Sequence, residues 1–118
     1  QKKLPEQVAK GFLLPYDSYD NRVAIMRFIQ DIPMSVNDIS YEVLLEIEHG
    51  LWMFRELPVC LIWGMKDWCF DVRFLRKWRM YYPQADVYPL DHAGHYLIED
   101  AGDQVVEDIR LFCNKNNL

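Results

Sequence analysis

The segment Val59-Cys60-Leu61-Ile62-Trp63 constrains the fold of this chain most: it is a continuous apolar run rich in β-formers, flanked by Pro58 and Gly64. It lacks the alternation of a half-exposed strand and reads as a strand buried on both faces, the habit of parallel sheets. After the loop Gly64 to Phe70, Asp71 can cap a helix in which Val72, Leu75, Trp78 and Arg79 share a face, ended by Pro83. Asp86 to Leu90 then reads as a second, shorter strand. Strand, helix, strand is a crossover, right-handed in nearly all known cases, that sets two parallel strands side by side. Two such strands cannot cover both faces or hide their edges, and an independent sheet normally needs at least three. The expected fold class is α/β, with the rest of the sheet supplied by polypeptide preceding Gln1 or by a second chain.

The period of the sequence changes at Glu56-Leu57-Pro58, and the half before it looks helical. In DSYDNRVAIMRFIQDIP, Asp17, Ser18 and Asp20 are N-cap residues by type, and Tyr19, Val23, Met26 and Ile29 follow at helical spacing until Pro33. Ser35 with Asp38 resembles a capping box, and Tyr41, Leu44, Leu45, Glu48, Leu51 and Trp52 trace a second stripe, which predicts a helix over about 37–54. A last helix is expected from Asp103 to about Asn114, with Val106, Ile109 and Cys113 on one face. Internal repeats and low-complexity stretches are absent.

A chain of 118 residues suffices for one modest domain, and at 51% hydrophobic it can bury a core. Seven Tyr, six Phe and four Trp are a heavy load of rings for this length, enough to line a pocket as well as a core. The formal net charge of -5, with no basic block longer than Lys2-Lys3, offers no footprint for a phosphate backbone, so nucleic acid is not an expected partner. Three Cys, at 60, 69 and 113, form neither a zinc pairing nor a disulfide framework, which favours a reducing, cytoplasmic setting. No apolar run approaches the ~20 residues of a membrane span, so no membrane partner is expected. Position 1 is not Met, and the segment is expected to begin inside a longer polypeptide.

Ligands of open parallel sheets sit beyond the carboxyl ends of the strands. The two loops there read GMKDWCF and DHAGHY, so Asp67 follows the first strand and His92 and His95 follow the second. A carboxylate bonded to an imidazole fixes its tautomer and stabilises the imidazolium formed when the ring takes a proton. Asp67 alone would be a common turn residue, and His95 alone a satisfied, partly buried histidine; together they favour catalysis, with Gly94 permitting a tight turn that presents the ring. His92 and His95 make an H-x2-H pair without a third spaced ligand, so no metal is assigned and His92 is placed at a pocket rim or in a structural role. Trp68, Phe70 and Trp52 are substrate-pocket residues by type, against the alternative of ordinary core. Cys60 reads as a buried small hydrophobe, Cys113 as a helix residue, Glu99-Asp100 as caps of the last helices, and His49 as solvated.

The combination W-G-x-x-D after a buried strand, then A-G-H with His95 standing 28 positions after Asp67, then hydrophobics and E-D, resembles the end of α/β-hydrolases. The likeness covers the whole chain and runs to the haloalkane dehalogenase and epoxide hydrolase branch. Within that branch, the pairing of PYDSYDNRVAIMRFIQDIP with IWGMKDWCFD and AGHYLIEDA looks most like the β-lactone decarboxylases of bacterial olefin biosynthesis and their dehalogenase-like relatives. The resemblance implies that residues 1–36 end a helical cap domain and that 37–118 form the C-terminal part of the core, its last two parallel strands with flanking helices. It implies Asp67 as triad acid and His95 as general base, with no cofactor. No G-x-S-x-G or aspartate elbow occurs upstream of Asp67, so the nucleophile, an aspartate in the dehalogenase-like branch, is outside this chain and the chain alone is expected to be inactive.

Three functions follow. The first is part of a hydrolase acting on a small apolar haloalkane, epoxide, ester or β-lactone through a covalent enzyme ester that His95 helps water to open. The second is a noncatalytic binding module derived from a hydrolase, favoured by the missing nucleophile. The third is a metal-binding regulator built on His92 and His95.

Overall fold

A computed structural model of the chain describes residues 3–118. Among these are two parallel strands and five α-helices, an α/β composition. They cluster into two compact units, one of Leu4–Leu51 and the other chiefly of Trp52–Leu118, so residues 37–51 group with the first.

The first unit holds α1 (Glu6–Leu13), a 3-10 turn at Leu14–Tyr16, α2 (Tyr19–Gln30) and α3 (Tyr41–Gly50). Of the three cap candidates Asp17, Ser18 and Asp20, Ser18 caps α2, its hydroxyl oxygen accepting the Asn21 N–H at 3.2 Å. Helix α1 lies outside the sequence expectation. Pro5 at its N-cap costs no internal hydrogen bond there, and Glu6 meets Lys10 one turn on at 2.7 Å. The expected helix over 37–54 is shorter at both ends. Asp38 Oδ2 accepts from the N–H groups of Met34 and Ser35 at 2.8 and 2.7 Å, so the Ser35-Asp38 pair closes a turn, and the helix proper starts at Tyr41. From Leu51 to Phe54 the backbone tightens into a 3-10 turn. No residue of α1, α2 or α3 is buried, and Met26 and Ile29 of the apolar stripe stand open.

In the second unit β1 (Cys60–Gly64) runs parallel to β2 (Asp86–Leu90), in register from Cys60 opposite Asp86 to Gly64 opposite Leu90. The strand starts one residue later than the apolar run, and Val59 still joins the ladder by accepting the Asp86 N–H at 2.9 Å. Between them α4 (Val72–Tyr81) begins where expected, Asp71 Oδ1 accepting the Arg73 N–H at 2.8 Å. Leu75 of α4 is buried, and the Trp78 ring stacks on Tyr82 with centroids 6.1 Å apart.

Helix α5 (Leu97–Asn116) starts six residues before the expected Asp103 and leaves helical geometry at Ala101, where φ is -147° and ψ is 33°. It is therefore one initial turn followed by the main helix. Tyr96 O closes that turn by accepting the N–H groups of Glu99 and Asp100, both at 3.0 Å. The buried face is Ala101, Val105, Asp108 and Phe112, which corrects the expectation: Val106 and Ile109 are exposed and Cys113 is only part-buried. The kink sets the rotational phase of the helix, and apolar residues on two flanks left that phase open. Leu90, Ala93, Ala101 and Val105 form the core cluster, with Ile62 and Leu97 packed against it. The core thus sits directly beneath the ends of the strands. No helix among the described residues is long and apolar enough to cross a membrane.

Candidate active site

Two loops leave the carboxyl ends of β1 and β2 and are stitched together by their backbones. Met65 donates its N–H to Leu90 O at 3.0 Å, and Lys66 donates to Ala93 O at 2.9 Å. Gly64 makes this approach possible: a Cβ there would lie 2.5 Å from Gly94 O and 2.9 Å from Ala93 O, closer than real Cβ contacts. No described glycine adopts a positive φ, so the turn expected at Gly94 is made without a left-handed residue.

The stitching brings the Asp67 carboxylate to the His95 ring, with Oδ2 3.0 Å and Oδ1 3.2 Å from Nδ1. A carboxylate can only accept, which assigns the ring proton to Nδ1 and leaves the Nε2 lone pair for another donor. Asp67 also serves as the turn residue that its type suggests, Oδ1 accepting the N–H groups of Cys69 at 2.8 Å and Phe70 at 2.9 Å. The Trp63 indole N–H donates to Phe70 O at 2.8 Å and closes the loop from the strand side. Burial by itself pushes the Asp67 carboxyl up, but the hydrogen bonds from Phe70, His95 and Cys69, together with the charge of the histidine, outweigh it and hold the group below the ordinary carboxylate range. The side chain of Asp67 keeps 10% of its surface and that of His95 keeps 31%, so the imidazole is the more accessible partner.

Aromatic rings surround the pair. Phe70 lies 5.4 Å and Trp68 6.1 Å from His95, centroid to centroid, and Tyr96, which was not foreseen, stands edge-on at 5.6 Å. Tyr96 directly follows His95, so loop composition could have nominated it. Trp52 is different: it is 68% exposed on the 3-10 turn, and among the described residues no ring contact ties it to His95. His92 is exposed and borders two shallow hollows of about 470 and 380 Å³ that contain neither Asp67 nor His95. Two larger hollows, about 550 and 610 Å³, are flanks of α2 alone and lack the convergent groups of a reaction site. No group of three or more His, Cys, Asp or Glu suited to a metal ion occurs among the described residues. All three cysteines are free, and burial, followed by the charges of Asp86 and Asp108, pushes the Cys60 thiol up, away from a nucleophile's range.

Asp100 does more than the capping expected of it: Oδ2 accepts the buried Gly94 N–H at 2.8 Å, linking α5 to the histidine loop. Its position three residues past the first helical residue gave no such signal.

No family model matches the chain. It is similar over 98% of its length, at 35% identity, to a cis-3-alkyl-4-alkyloxetan-2-one decarboxylase of Shewanella oneidensis. It is similar over 99% of its length, at 38% identity, to a protein of the same name from Xanthomonas campestris pv. campestris. The oxetan-2-one ring is the β-lactone, so the resemblance read from the motifs is borne out. The chain spans only 36% and 39% of those two proteins.

Proposed function

We propose that this chain provides the acid and the general base of an α/β-hydrolase-fold enzyme that opens a small apolar lactone or ester, with Asp67 orienting His95 and His95 moving the proton. The observation that carries the reading is the 3.0 Å contact between Asp67 Oδ2 and His95 Nδ1 beyond the ends of adjacent parallel strands. The likeness to two oxetan-2-one decarboxylases supports the substrate class. In this reading the two strands are the last of a larger parallel sheet, and the helices before residue 37 end a helical cap domain.

Asp67 accepts the Nδ1–H, so Nε2 is free to take a proton from water, and the imidazolium that results is stabilised by the carboxylate behind it. With a covalent enzyme ester in place, the activated water attacks the ester carbonyl, the bond to the alcohol oxygen breaks, and that oxygen receives the proton from Nε2. Trp68, Phe70 and Tyr96 give the reaction an apolar wall. The nucleophile belongs to polypeptide outside these residues. Loss of carbon dioxide from an oxetan-2-one ring consumes no water and leaves the other two carbons joined as an alkene, whereas hydrolysis gives a β-hydroxy acid. The products therefore distinguish the two outcomes: the water step through His95 gives the β-hydroxy acid, which this reading expects, and an alkene, as the relatives' decarboxylase name implies, would mean that His95-activated water is not used.

The test uses the full-length protein, a cis-3,4-dialkyl oxetan-2-one, and a His95→Gln variant. A carboxylate nucleophile is already ionised near neutral pH, its unperturbed pKa being about 3.9, so the variant should form its covalent adduct and stall, which intact-protein mass spectrometry detects. A serine nucleophile would need the histidine and should give no adduct. Ordinary turnover by His95→Gln would remove His95 from the base role and sink the reading.

A further inference from the structure

We propose that Asp100 is a positioning residue for His95, fixing the backbone on both sides of the histidine while Asp67 holds the ring. This rests on the reading of Asp67 and His95 as the reacting pair. Asp100 holds both chain neighbours of His95: its carboxylate Oδ2 accepts the Gly94 N–H at 2.8 Å, and its own N–H donates to Tyr96 O at 3.0 Å. The histidine backbone is thus enclosed in a short ring closed at both ends by one residue.

The Ala93–Gly94 peptide is in turn gripped from two sides. Its carbonyl accepts the Lys66 N–H at 2.9 Å and its N–H donates to Asp100. Lys66 precedes Asp67, so one rigid peptide plane ties the acid loop, the histidine loop and α5 together. Ala93 retains no exposed surface and Gly94 is buried, so water cannot replace the bond that Asp100 makes. A carboxylate acceptor shortens and strengthens such a bond relative to a neutral one. With the acceptor gone, the buried N–H has to turn toward another partner. Turning the peptide would also move the carbonyl off Lys66 and shift the ring away from Asp67.

The test is made in the full-length protein with Asp100→Ala and Asp100→Asn beside His95→Gln. The readouts are kcat and KM with a cis-3,4-dialkyl oxetan-2-one, thermal unfolding, and the NMR signal of the His95 Nδ1–H. Asp100→Ala should lower kcat by about ten- to a hundredfold with KM little changed, the effect of a slightly misplaced group, and should shift or erase the Nδ1–H signal. Asp100→Asn keeps a neutral acceptor and should lose several-fold in kcat with a smaller shift of the same signal; it decides the matter if the alanine variant does not fold. An unmoved Nδ1–H signal overturns the proposal, even where stability falls, and so does kcat within twofold of the parent in both variants. The two failures are separable. Ordinary turnover by His95→Gln would refute the acid–base reading, while the Nδ1–H signal still judges Asp100 without reference to any substrate.

Discussion

Replacing Gly64 by Ala tests the idea that the two loops are locked by close approach. The new Cβ would stand 2.5 Å from Gly94 O, 2.9 Å from Ala93 O and 3.1 Å from Ala93 C, all backbone atoms that cannot swing aside. Reaching ordinary contact at 3.4 Å requires the loops to part by about 0.9 Å. That movement stretches the Lys66-to-Ala93 and Met65-to-Leu90 bonds, now 2.9 and 3.0 Å, past hydrogen-bonding length. Overpacking costs about 1–3 kcal/mol, and each buried backbone group left unpaired about as much again, so a loss of about 3 kcal/mol is expected. At a slope of about 1–3 kcal/mol per molar urea, the unfolding midpoint should fall by at least about 1 M. The same displacement opens the Asp67–His95 contact from 3.0 Å and should reduce turnover about a hundredfold. Urea unfolding followed by tryptophan fluorescence, with turnover measured on the folded variant, both in the full-length protein, checks both numbers. A midpoint within about 0.3 M of the parent, with turnover within twofold, would refute the lock.

Asp67→Asn should lower kcat by roughly 10³- to 10⁴-fold, as the equivalent change does in serine-protease triads, because an amide no longer enforces the Nδ1–H tautomer; retention of more than a tenth of the parent rate would argue against it. The same variant reports on pH. The folded carboxyl of Asp67 lies below its unfolded value of about 3.9, so the stability it contributes is complete above that pH and is lost as pH falls through the folded value. The stability gap between parent and Asp67→Asn should therefore close as pH falls below about 4, and a gap that grows below about pH 4 would contradict the sign. Trp63→Phe removes the indole donor to Phe70 O, now 2.8 Å away, and should cost about 1 kcal/mol in chemical denaturation; an unchanged midpoint would mean that the bond does not brace the acid loop.

The strands were readable because their information is local. A run of β-formers bounded by Pro58 and Gly64, and a second run after Pro83, mark two short strands, and their side-by-side parallel pairing follows from the length of the crossover; the expected burial on both faces is not met among the described residues, where only Gly64 and Leu90 of the two strands are buried. Ser18 and Asp71 were equally legible, since capping is decided by the nearest two or three N–H groups. Asp67 and His95 could be named because both follow strand ends, where a parallel sheet gathers its loops.

Tertiary structure decided the rest. Which face of α5 is buried depends on a kink at Ala101, and periodicity alone chose the wrong flank because apolar residues occupy both. The demand for glycine at 64 arises from atoms 29 and 30 positions away in sequence, Ala93 and Gly94, and no local pattern encodes that distance. Asp100 looked like a cap until the loop folded back on it, because a carboxylate takes whichever N–H the chain brings within about 3 Å. The sequence by itself determined which segments become strands and which residues can carry chemistry. Only the three-dimensional contacts determined which backbone groups hold those residues still, because such bonds join points that the chain order leaves far apart.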